Sequence, residues 1–96
     1  MSRQCYLVTY DIADPKRLRQ VFKAMKNFGD HLQLSVFLCE LNARERVQME
    51  AALSRIIHNR QDQVLIVNLG PARSETLDKI QSLGQAYVPA PRVFIA

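Results

Sequence analysis

An α+β fold, with two helices covering one face of a four-stranded sheet, is predicted by three features of the sequence. A strand-like run from Cys5 to Asp11 passes directly into an amphipathic helix. A second strand-then-helix pattern follows between His31 and Arg60, and an apolar run, Val64 to Leu69, is closed by Gly70-Pro71. The chain has 96 residues, 48% of them hydrophobic, which is enough for one core and too short for two. Residues 1–96 therefore read as a single domain, with 85–96 as a C-terminal extension and strand.

The first strand is recognised by alternation and by its β-branched and aromatic residues, Tyr6-Leu7-Val8-Thr9-Tyr10. It stops on Asp11, although Asp is depleted in strands and nothing in sheet formation calls for it there. Asp14 and Pro15 then suit the N-cap and first position of a helix, since the carboxylate accepts from free amides and Pro has no amide to leave unpaired. Leu18, Val21, Phe22, Met25 and Phe28 recur at three- and four-residue steps as its buried stripe. Gly29 is expected to end it as its C′ residue. Lys16, Arg17, Arg19, Lys23 and Lys26 occupy the opposite face, with no acid among them.

A second strand is expected from about His31 to Leu41, with Leu32, Leu34, Val36 and Leu38 on one face and Gln33, Ser35, Phe37 and Cys39 on the other. Asn42 and Glu45 form a capping box that opens a second helix, whose stripe is Met49, Ala52, Leu53, Ile56 and Ile57 and whose end is His58-Asn59-Arg60. The continuous apolar run Val64 to Leu69 reads as a central strand. Ser74 to Leu83 suits a short helix, but Lys79 to Leu83 before Gly84 suits a strand equally, and a strand is the reading adopted. Pro89 and Pro91 hold an extended linker before a short terminal strand, Arg92 to Ile95.

This order is a ferredoxin-like βαββαβ arrangement with a C-terminal strand extension. Two helices cover only one face of such a sheet and leave apolar side chains such as Tyr6 or Leu34 on the other. A face-to-face homodimer is the expected remedy, with the terminal strand suited to a partner's edge.

The net charge is +4 and the pI near 9.4, which favours an anionic partner. Cys5 and Cys39 lie in apolar runs without zinc-ligand spacing and read as buried reduced thiols. His31 and His58 lack companions at ligand or triad spacing. No apolar stretch is long enough to cross a membrane and no signal peptide is seen, so a cytoplasmic location without a membrane partner is expected. Phe37 and the tyrosines are expected in the core. Asp11 suits either a turn-forming carboxylate or a metal ligand; one carboxylate is too little for magnesium, whereas a symmetric dimer would supply two.

The strand ending Tyr10-Asp11-Ile12 before a basic helix, together with Gly29 followed by Gln33-Leu34-Ser35-Val36-Phe37, resembles the small CRISPR-associated endonuclease family whose members partner the CRISPR integrase during spacer acquisition. The resemblance runs through Leu69-Gly70 to the Ile80–Gly84 segment. It implies a ferredoxin-like dimer with an Asp from each protomer near the axis, able to bind Mg2+ or another divalent cation, and by position in the motif that carboxylate is Asp11. Some members hydrolyse RNA or duplex DNA, while others are noncatalytic bridges between integrase dimers that grip duplex DNA. Basic residues of the first helix correspond to Arg17 and Arg19. Many members carry Arg just before the Gln-x-Ser-Val-Phe stretch, where this chain has Asp30-His31-Leu32.

The expected function is therefore a CRISPR adaptation scaffold. Asp11 is its candidate catalytic and metal-binding residue, and Lys16, Arg17, Arg19, Lys23 and Lys26 are its candidate nucleic-acid contacts. A metal-dependent endonuclease acting on RNA or duplex DNA is the enzymatic alternative, and a generic ferredoxin-like RNA binder is the third reading.

Overall fold

The computed structural model describes residues 2–85. Along the chain come β1 (Gln4–Asp11), α1 (Pro15–Met25), β2 (Asp30–Gln33), β3 (Val36–Leu41), α2 (Ala43–Ser54), β4 (Gln63–Pro71) and the four-residue α3 (Ser74–Leu77). The four strands form one sheet in the order β2-β3-β1-β4, with every neighbouring pair antiparallel. This is the ferredoxin-like βαββαβ arrangement expected from the element order. The Pro89–Pro91 linker and the terminal strand over Arg92–Ile95 lie outside the described residues.

Both long helices begin where their caps place them. The Asp14 carboxylate accepts from the Arg17 amide at 2.9 Å with Pro15 at the helix start. In α2, Asn42 Oδ1 accepts from the Glu45 amide at 2.8 Å while Glu45 Oε1 accepts from the Asn42 amide at 3.0 Å. The helices bury Val21, Met25, Met49 and Leu53 against Tyr6, Val8, Tyr10, Phe37 and Cys39 of the sheet. Deleting a side chain of this layer, as in Phe37→Ala, costs about 3–5 kcal/mol. Both cysteines are buried, as expected.

Four local expectations change. First, the apolar stretch from His31 to Leu41 is a hairpin rather than one strand, because the chain reverses at Leu34-Ser35. Leu34 sits at φ 21° and is exposed. His31 Nε2 donates to the Leu34 carbonyl at 2.7 Å, and the Tyr10 amide donates to the Ser35 carbonyl at 3.1 Å, so the reversal is held without Gly, Pro, Asn or Asp. Second, α1 ends at Met25, and Gly29 is not left-handed; the positive-φ glycines are Gly70 and Gly84. Gly29 is required by close approach instead, since a Cβ there would lie 2.5 Å from the Leu38 carbonyl oxygen and overlap Cys39 Sγ. The second helix likewise stops early, at Ser54, and Ile56 and Ile57 pack against the core from beyond it.

Third, among the described residues β4 is an edge strand rather than a central one, paired only with β1. Its run is continuously apolar because Val64 and Ile66 meet the core while Leu65 and Val67 stand on the other side, 50% and 46% exposed. Fourth, Lys79 to Leu83 is not a strand; α3 is one turn, and Ile80 to Gln85 continues irregularly across part of the uncovered sheet face, near Leu7, Thr9 and Val36.

Candidate functional site

The cationic helix is built so that its two flanks have different fates. At roughly 100° per residue, Lys16, Arg19, Lys23 and Lys26 fall within an arc of about 80° on one side of the buried stripe, and Arg17 falls on the other side. Lys16, Arg19, Lys23 and Lys26 are all exposed. None of the four forms an ion pair among the described residues. Lys26 Nζ lies 5.0 Å from the centroid of the Phe22 ring, which orients it without neutralising it.

Arg17 is engaged differently. Its Nε and Nη2 donate to the two oxygens of Asp62 at 2.8 and 3.1 Å, and Nη2 also donates to Gln61 Oε1 at 3.1 Å. Asp62 further accepts from the amides of Ala13 at 2.9 Å and His58 at 2.7 Å. Its side chain is fully covered, whereas that of Arg17 is 23% exposed. The guanidinium and the two amides hold the Asp62 carboxyl well below the usual carboxylate range, and the carboxylate in turn raises Arg17. This clamp ties the β1–α1 loop to the loop before β4, giving Arg17 a structural role that its position in a basic helix did not reveal.

Asp11 lies on the other layer. In β1, Tyr6, Val8 and Tyr10 point toward the helices, so Cys5, Leu7, Thr9 and Asp11 point away. Register places Leu38 and Val67 beside Leu7, Val36 and Leu65 beside Thr9, and Gln63 beside Asp11 on this same open face. The apolar side chains on this face are Cys5, Leu7, Leu32, Val36, Leu38, Leu65 and Val67, of which Cys5 and Leu38 are buried. Tyr6 and Leu34 do not belong to it: Tyr6 is buried beneath the helices and Leu34 is in the hairpin turn. Leu7 and Tyr6 are both apolar, so alternation alone could not decide which faced inward.

Asp11 is exposed at the strand end, and its carboxylate makes no hydrogen bond or ion pair among the described residues. The structure therefore does not merge Asp11 and the cation row into one site within a chain; they occupy opposite layers. No three His, Cys, Asp or Glu side chains come together to hold a metal among the described residues. On α2, Arg46 pairs with Glu50 at 3.4 Å and Glu45 with Arg3 at 2.5 Å, in keeping with a solvated face there. The residue that sequence reasoning missed is Asp62. Its only signal was an acid in the turn before a strand.

A two-layer protein with a free cationic helix surface on one side and a strand-end carboxylate on the other is of a class suited to handling a polyanion. Residues 4–76 match the family CRISPR associated protein Cas2. The chain is 48% identical over 86 residues to the CRISPR-associated endoribonuclease Cas2 1 of Rhodospirillum rubrum, spanning 90% of this chain and 83% of that protein. It is 44% identical over 84 residues to the CRISPR-associated endoribonuclease Cas2 of Geobacter sulfurreducens, spanning 88% and 87%. Among solved structures it resembles Streptococcus pyogenes Cas2 at pH 6.5, with a TM-score of 0.74 and 33% identity over 83% of this chain and 99% of that one. The chain belongs to the CRISPR associated protein Cas2 family, the family that the Tyr10-Asp11 and Gln33–Phe37 motifs indicated.

Proposed function

We propose that this protein serves CRISPR spacer acquisition as a dimeric scaffold in the cytoplasm, holding duplex DNA by its backbone and bridging integrase dimers. The observation that carries this reading is the row Lys16, Arg19, Lys23 and Lys26, exposed and free of ion pairs among the described residues. Such a row meets phosphates without reading sequence. The half-exposed Leu65 and Val67 on the open face support the second copy, because a strand apolar on both sides is suited to cover on both.

Metal-dependent endonuclease activity is the second reading, favoured by the exposed and unengaged Asp11 carboxylate and by the endoribonuclease names of the Rhodospirillum and Geobacter relatives. A single chain does not make a magnesium site. The reading therefore requires a second copy to bring its own Asp11 alongside, with phosphate and water completing the shell. Magnesium so held would supply an activated water, and Arg19, unlike the clamped Arg17, is available to offset phosphate charge.

Incubating duplex DNA and RNA with the protein, with and without magnesium, alongside Asp11→Asn, separates the two. The scaffold reading expects no cleavage and equal duplex and integrase binding by both proteins. Magnesium-dependent cleavage abolished in Asp11→Asn establishes the enzyme instead.

A further inference from the structure

The geometry points to the groove between α1 and the β2–β3 turn as a docking site for an acidic, apolar segment of a protein partner. The groove has a volume of about 420 Å³, within the range that takes one or two anchoring side chains. Tyr10, Leu18, Phe22 and Leu34 supply its apolar lining. Leu18 is 38% exposed and Leu34 is 87% exposed. An apolar residue so placed, in a turn with φ 21°, has no folding reason to be leucine rather than Asn or Gly.

Three cations, Arg19, Lys23 and Lys26, complete the lining, and among the described residues no acid contributes to it. Complementarity therefore asks for an occupant that is apolar at its centre and negative around it. The Tyr10 hydroxyl adds a second signal. The residue is 6% exposed, and its hydroxyl has no hydrogen-bond partner among the described residues. A backbone carbonyl of a docked segment, reaching in as Leu18 or Leu34 shifts, would supply the missing bond.

A nucleic-acid base fits these walls less well. Base binding on a protein surface relies on open aromatic faces. Here the Tyr10 ring is buried, while the Phe22 ring carries Lys26 Nζ at 5.0 Å and meets the His31 ring at a centroid distance of 5.0 Å. This inference goes beyond the duplex-binding reading and does not depend on it. Backbone phosphates would engage the cation row, Lys16 included, without entering the groove between Leu18 and Leu34.

The test is an amide NMR titration of the full chain with three probes: an amphipathic 15-residue peptide with two Leu anchors flanked by Glu, the same peptide with Lys replacing Glu, and a single-stranded oligonucleotide. The Glu peptide is expected to shift Leu18, Phe22, Leu34 and Ser35. It should bind about tenfold more weakly to Leu34→Asp and to Lys23→Glu; Leu34 is so exposed that its variant should fold as the parent does. The Lys peptide is expected to leave these resonances unmoved. The inference is overturned if the Glu peptide does not shift them, if both peptides bind alike, if Leu34→Asp binds as the parent does, or if the oligonucleotide shifts the same apolar residues at lower concentration. Duplex DNA titrated separately reports on the cation row, so failure of one reading is distinguishable from failure of the other.

Discussion

The two flanks of α1 carry the same kind of residue to opposite ends. On one, Arg17 is drawn into a covered carboxylate that also takes two backbone amides, and its charge holds two loops together. On the other, Lys16, Arg19, Lys23 and Lys26 extend from the surface without an ion-pair partner among the described residues. A count of basic residues on a helix therefore overstates its capacity for an anionic partner. What matters is which cations lack an internal partner, and that depends on residues distant in sequence; Asp62 lies 45 positions from Arg17.

The comparison can be broken most severely at the clamp. Asp62→Ala leaves the Arg17 guanidinium and the amides of Ala13 and His58 without their acceptor, and thermal unfolding is expected to show a larger loss of stability than any single substitution in the cation row. The milder Asp62→Asn supplies a pH test. The folded-state carboxyl is held below its ordinary value. Its contribution is therefore whole above the unfolded value near pH ~4 and declines as pH falls below it toward the depressed folded value. The difference in melting temperature between parent and Asp62→Asn should be constant from neutral pH down to about 5 and should shrink in more acid solution.

Reversing the free row comes next in expected effect. Replacing Lys16, Arg19, Lys23 and Lys26 together with Glu should abolish most duplex binding while leaving the unfolding free energy within about 2 kcal/mol of the parent, since all four are exposed. On the open face, Leu65→Asp with Val67→Asp should move sedimentation from dimer to monomer mass at a stability change of about 0.5 kcal/mol per site. An unchanged dimer would place the interface elsewhere. The smallest effect on binding is expected for Arg17→Gln, which should weaken duplex affinity less than about twofold yet lower the melting temperature.

Elements whose signals are local were legible in the sequence: the Asp14 cap with Pro15, the Asn42–Glu45 box, and both helical stripes except Leu18, which was expected to be buried and is 38% exposed. The family motif likewise located Asp11. What escaped depends on interactions across the fold. The hairpin reverses at Leu-Ser, which carries only the weak turn signal of Ser and is fixed by a histidine side chain and a neighbouring strand's amide. Gly29 is demanded by the approach of β3 rather than by its own backbone angles. A continuous apolar run resembles a central strand whether its second face is covered by helices or is left open, so β4 could not be assigned to the edge. The separation of Asp11 from the cation row follows from strand parity, which the apolar neighbours Tyr6 and Leu7 left undecided.

The central claim is that the free row, and not the clamped arginine, meets nucleic acid. Duplex DNA affinity measured from 50 to 300 mM salt, for the parent, Arg17→Gln and the double variant Lys23→Gln with Lys26→Gln, tests it most directly. The parent and Arg17→Gln should share one slope of log K against log salt, and the double variant should be shallower by about 0.9 for each phosphate that a chain no longer neutralises. Equal slopes for the parent and the double variant, or a shallower slope for Arg17→Gln alone, would contradict it.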